Sequence, residues 1–178
     1  MVQIAIILVP LVGISMLLPQ IKQRVTNAKA QFIICIVLAV YVWGNLYFTI
    51  LSRSPGTERM LELRPFCIYG RLFIPPMEGG PSPTTFAGRF MESTLPIVGL
   101  ILNILLYYPM GYILPILFPK LKPKYVILIG CLCSIATEAT QYLLKMGWCE
   151  TDDVIHNTLG TAIGVWVWLW QAKRHGKQ

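Results

Sequence analysis

Two groups of ionisable and amide side chains interrupt otherwise apolar sequence. Ser134, Glu138, Gln141 and Lys145 recur at helical spacing and share one face of a helix. Asp153, Asn157, Thr161 and Gly164 do the same, with Asp152 beside them. Two further stripes are Asn45–Thr49–Arg53 and Asn103–Tyr107. A carboxylate such as Glu138 in apolar surroundings suits a general acid/base or a ligand-binding group. The same residue serves equally as a structural hydrogen-bond partner for Asn103 or Asn157. Asp152 and Asp153 are candidates for a second carboxylate, and also for helix starts, where acids are favourable. Arg53 and Arg64 are the candidate anion-binding or charge-stabilising groups, because guanidinium forks fit phosphate and carboxylate. No metal site or cofactor is expected. His156 lies near Cys149, Asp152 and Asp153 without zinc-site spacing, and His175 sits in the tail.

The elements that must position these groups are membrane helices. Of 178 residues, 55% are hydrophobic and only 13% charged, and mean hydropathy is +0.61. Soluble domains run near a quarter charged, so an ordinary soluble enzyme is excluded, and so is disorder. The net charge of +7 does not imply nucleic acid, because the basic residues sit in clusters between apolar runs. Five runs are long enough to cross about 30 Å of hydrocarbon: Val2–Pro19, Gln31–Leu51, Leu95–Phe118, Tyr125–Leu144 and Val154–Gln171. The expected fold is one all-α domain of five transmembrane helices with a long outer loop, residues 52–93. Met1, Val2 and Gln3 give the first run no basic start, and it lacks a cleavage signal, so it is read as retained.

Lys22, Arg24 and Lys29, then Lys120, Lys122 and Lys124, then Lys173, Arg174 and Lys177 occupy alternate connections and the tail. These predict a cytoplasmic C-terminus and an outer N-terminus in the plasma membrane. The polar stripes then reach similar depths below the outer surface. The expectation is an outward-facing polar pit between spans two to five, covered by the long loop. The first span, with only Ser15 near its middle, is expected to be peripheral. Within the loop, Leu63–Ile74 is apolar but too short to cross, so it reads as interfacial or re-entrant. Cys67 and Cys149 both fall outside, where a disulfide tethering the loop to the pit is possible. Gly160 and Gly164 suit close helix packing. Pro109 with Gly111 suits a kink that opens carbonyls toward the pit. Trp166, Trp168 and Trp170 suit an interfacial belt.

At the stripes the chain resembles a known family. Asn103-Ile-Leu-Leu-Tyr-Tyr-Pro109-Met-Gly111 is similar to the N-x-x-x-F-x-P-x-G element of VanZ-like membrane proteins. Glu138-Ala-Thr-Gln141, followed by Asp152-Asp153-Val-Ile-His-Asn157-Thr158-Leu-Gly160, is similar to their E-x-x-Q…D-D-x-x-x-N-T-x-G element. Thr49-Ile-Leu-Ser-Arg53 and Leu63-Arg-Pro65-Phe66 resemble the upstream T-x-x-x-R and N-L-x-P-F elements. Relatives commonly carry an arginine shortly after E-x-x-Q, where this chain has Lys145, a point charge in place of a fork. The resemblance implies a cell-envelope role linked to low-level glycopeptide (teicoplanin) resistance. One expectation is a binding protein for a lipid-linked cell-wall precursor or a lipophilic glycopeptide antibiotic, using Arg53, Arg64, Asn45, Asn103, Tyr107, Gln141, Lys145 and Asn157. The other is an intramembrane hydrolase or transferase with Glu138, Asp152 and Asp153 as catalytic carboxylates. The expected partners are membrane lipids and that amphiphile.

Overall fold

The computed structural model describes residues 28–67, 69 and 86–175, with side chains from residue 96 onward in the second stretch. Four helices dominate it: α1 Ala28–Leu46, α2 Phe86–Leu117, α3 Pro123–Leu144 and α4 Thr151–His175. A π-helical turn, Tyr47–Leu51, prolongs α1. Two three-residue strands, β1 Met60–Glu62 and β2 Trp148–Glu150, pair in parallel, with Leu61 opposite Cys149. The helices coincide with the second to fifth expected spans. The first expected span, Val2–Pro19, lies outside the described residues.

Three helical segments are long and apolar enough to cross a membrane: Ala28–Leu51, Pro96–Leu117 and Pro123–Leu144. Helix α4 is long enough, at 25 residues, but is not among them. Its first two turns carry Asp152, Asp153, His156 and Asn157, which lower its apolarity. The outer surface of the bundle is greasy. Phe32, Val40 and Trp43 on α1 and Leu132 and Leu143 on α3 are largely exposed, as suits lipid rather than water.

Contacts along the chain set the directions. Helices α2 and α4 run side by side in the same sense, since Asn103 meets Asp153 near one end and Tyr112 meets Gln171 near the other. Helix α3 runs opposite to α4, with Asn157 on Ser134 and Thr161 against Gly130. The α2–α4 seam is backbone against backbone. A Cβ on Gly160 would collide with the Ile104 carbonyl, one on Gly164 with the Tyr108 carbonyl, and one on Gly111 with the Thr161 carbonyl. Small residues at these three points permit that approach, and dispersion packing replaces the hydrophobic drive that lipid does not supply.

Pro96, Pro109 and Pro115 lie inside α2, which nevertheless stays continuous. Pro109 cannot donate to the Leu105 carbonyl one turn back. The neighbouring Leu106 carbonyl takes the Tyr41 hydroxyl at 2.7 Å, which ties α1 to this weakened turn. Pro123 occupies the first turn of α3, where its missing N–H costs nothing. Trp168 packs into the core with Tyr112 and Val167. Trp166 and Trp170 point outward, and the Arg174 guanidinium lies 3.8 Å over the Trp170 ring.

The long loop is shorter than expected. Helix α2 starts at Phe86, so the last eight residues of the 52–93 range are helical. Of Leu63–Ile74, the described part docks on the start of α4: Thr151 Oγ1 donates to the Leu63 carbonyl at 3.1 Å, and the Phe66 N–H donates to Asp152 Oδ1. Residues 70–74 lie outside the described residues.

Candidate functional site

The end of α1, the end of α3 and the start of α4 meet at one end of the bundle, under the β1–β2 pair. Glu138, 4% exposed, sits on α3 facing α4. Its Oε2 accepts the Glu150 N–H at 3.0 Å. Strand β2 therefore delivers a backbone donor to the buried carboxylate. One turn into α4, Asp153 Oδ1 accepts the Asn103 amide at 2.6 Å. The Arg53 guanidinium lies close enough to act on both carboxylates electrostatically. Arg53, Gly147, Trp148, Glu150 and Asp153 line a pocket of about 270 Å³. Glu138, Glu150 and Asp153 thus gather around one guanidinium.

Arg53 is seated by the turn after α3. Its Nη1 donates to the Met146 carbonyl at 3.1 Å and lies against the α-carbon of Gly147, where a Cβ would collide with it. Gly147 has φ +128°, a region open to glycine and hostile to L side chains. Lys145 caps α3 with φ +57°. That left-handed residue turns the chain off the helix axis, so the lysine leaves the Glu138–Gln141 face. Its Nζ donates to the Thr57 carbonyl at 3.1 Å, and its own carbonyl receives the Gly56 N–H at 2.7 Å. Lys145 thus anchors the loop after α1 and is not among the residues that line the pocket.

Arg64 also stands apart from the pocket lining. Its side chain is 82% exposed and is paired with Glu62 at 2.7 Å, two residues away. Those hydrogen bonds hold the Glu62 carboxyl down at about 2 and raise the guanidinium. The pair is a surface feature outside the pocket.

The remaining polar residues divide between structural ties and a second space. The Gln141 amide donates to the Thr49 carbonyl at 3.0 Å, one of the carbonyls a helix end leaves unpaired. Asn157 donates to Ser134 at 2.8 Å. Among the described residues, Gln141 Oε1, Asn157 Oδ1 and His156 Nδ1 are buried polar atoms without a hydrogen-bond partner. Asn45 and Tyr107 lie deeper and face a separate groove between α1, α2 and α3. The single pit expected from four stripes is therefore two spaces, one polar at the helix ends and one mostly apolar beneath.

Asp152, 3% exposed, holds the Phe66 N–H and so supports the docked loop. The Tyr69 hydroxyl meets His156 Nε2 at 3.1 Å, a tie that sequence reasoning missed. Glu150, Trp148 and Gly147 were also missed. Their proximity to the Asp152–Asp153 pair was the available signal. The expected Cys67–Cys149 bridge is not formed, and both are free thiols. Leu61, not Cys67, lies opposite Cys149 in the strand register, and Cys67 instead contacts the Glu62 carboxylate. Burial raises both thiols above their ordinary range. No group of three or more His, Cys, Asp or Glu side chains among the described residues is arranged to hold a metal.

A greasy helical bundle with carboxylates and one arginine gathered at the helix ends defines an integral membrane protein with a polar terminal pocket. The family model for VanZ/LLP1 matches residues 29–172, and the chain belongs to that family. The match begins at α1 and ends within α4, so it spans every residue of the site. No curated protein and no solved structure matches the chain.

Proposed function

We propose that this protein is an outward-facing binding protein of the plasma membrane. It takes the polar head of an envelope amphiphile, a lipid-linked cell-wall precursor or a lipophilic glycopeptide antibiotic, and so contributes to teicoplanin-type resistance. The observation that carries this reading is the pocket of about 270 Å³ lined by Arg53, Glu150 and Asp153. It lies at the end of the bundle opposite Lys29, Lys120, Lys122, Lys124, Lys173 and Arg174. Positive residues mark the cytoplasmic side, so the pocket faces outward, with α4 as a further span and the first apolar run completing five. The two lining carboxylates and one guanidinium favour a head that carries amines or hydroxyls together with an anionic group. Trp148 at the rim supplies an apolar face.

One arrangement favours a second reading, a hydrolase or transferase acting on a lipid-linked head. Glu138 is oriented by the Glu150 N–H and Asp153 by Asn103, and both lie near Arg53. Two oriented carboxylates beside a cation suit acid–base work with electrostatic stabilisation.

The test is survival of a sensitive Gram-positive host under teicoplanin at matched membrane levels of protein. Wild type protects, Arg53→Ala and Asp153→Asn lose at least most of that protection, and Arg64→Ala retains it. Full protection by both pocket variants would sink the reading. Under the enzymatic alternative, Glu138→Gln binds the amphiphile undiminished while turnover disappears.

A further inference from the structure

The groove between α1, α2 and α3 has a volume of about 260 Å³ and is lined by Tyr41, Asn45, Leu46, Tyr107, Ala136 and Thr137, among others. It sits in the middle of apolar helices, about 12 Å below Arg53 at 1.5 Å per residue. Its polar groups already have partners within the protein. The Asn45 amide reaches the Tyr41 hydroxyl, the Tyr107 hydroxyl meets Thr137, and Thr140 donates to the Ala136 carbonyl. The groove thus offers an occupant contact surface and little demand for hydrogen bonds. Its flanks at Val42, Leu46, Cys133 and Ala136 are exposed on the lipid-facing side. A space of this kind stays dry and selects hydrocarbon from the surrounding bilayer. At its upper end it adjoins the Thr49–Gln141 hydrogen bond, and Arg53 stands one turn beyond Thr49.

We propose that this groove seats a hydrocarbon chain of the same amphiphile whose head enters the Arg53–Asp153 pocket. The proposal rests on the binding reading above and adds the class of ligand: a head joined to a long hydrocarbon chain, one such chain entering the groove sideways between α1 and α3.

The experiment uses the full chain in vesicles of phosphatidylglycerol. A trace of phosphatidylglycerol carrying a mid-chain diazirine is photolysed, and the cross-links are mapped by mass spectrometry. Label on Val42, Cys133, Ala136 and Thr140 is expected to exceed that on the lipid-exposed Val40 and Leu132 at least threefold. Ala136→Phe, which fills the groove, is expected to cut groove labelling at least threefold and to abolish teicoplanin protection. Leu132→Phe, on the outer surface, changes neither. Labelling of the groove residues equal to that of Val40 and Leu132 overturns the proposal, and so does weaker labelling, the result expected where a second copy or another segment of the chain covers the groove. So does full protection by Ala136→Phe. Groove labelling that persists while Arg53→Ala and Asp153→Asn both protect fully overturns the pocket reading instead, so the two failures are distinguishable.

Discussion

Gly147 leaves room for Arg53, because a Cβ there would push the end of its flexible side chain aside. Gly147→Ala is expected to cost about 1–3 kcal/mol from the backbone conformation alone. It should also lower teicoplanin protection, though less than Arg53→Ala does, because the guanidinium is displaced and not removed. Thermal unfolding in detergent and the survival assay check the two effects separately. The thiols give a second expectation. All five cysteines are free, so alkylation under denaturing conditions without reductant adds five labels. Because burial raises Cys67 and Cys149, their thiolate fraction at neutral pH is small. Their native-state alkylation is slow there and accelerates only above the usual thiol range, as a pH series of labelling rates would report. A mass two units lower that reduction restores would contradict the free-thiol state.

At this scale the sequence was readable where a polar residue sits inside a helix. Glu138, Asp153 and Asn103 stand out against apolar neighbours, and the structure brings them to one end of the bundle. Lys145 stands off the Glu138–Gln141 face because a left-handed cap breaks the helical spacing, and nothing in its side chain announces that conformation. Arg64 stands outside the pocket lining, engaged in the loop by an acid two residues away. Glu150 escaped notice because the group it presents to Glu138 is its backbone N–H, which any residue possesses.

Among the elements, α2 and α4 depend on small residues at their contact. Gly160→Leu is expected to destabilise the protein by about 1–3 kcal/mol or more, since the new side chain meets the Ile104 carbonyl. Gly99→Leu is the control, for a Cβ there meets nothing within 4 Å. Equal melting temperatures for the two variants would remove the seam from the account. Apolar runs located both helices and the Gly160–Gly164 spacing marked α4 for close packing, but neither signal named α2 as the partner. The π-helical turn and the β1–β2 pair were not legible. Strands of three residues carry too little alternation to separate from loop, and their pairing depends on where α1 and α3 end in space. The start of α2 at Phe86 was equally hidden, because the apolar run that marks a span begins later than the helix.

For the whole molecule, the prediction concerns sidedness. Single cysteines at Glu58 and Lys122, in a background without native cysteines, should react with an impermeant maleimide from opposite sides of intact cells, Glu58→Cys from outside. Reversal of the pattern would place the pocket in the cytoplasm and end the envelope reading. The polar pocket also has a place in time. Arg53 reaches the Met146 carbonyl across 93 residues of chain, and β1 waits for β2 over a similar interval. At translation rates of roughly 5–20 residues per second, that interval is about 5–19 s. During it α1 already sits in the bilayer with a guanidinium at its end, and neither Asp153 nor the Gly147 turn has been made. The pocket therefore stays incomplete until the last helix emerges, and a chain that stalls before Trp148 leaves the Arg53 guanidinium without the Met146 carbonyl, Glu150 and Asp153.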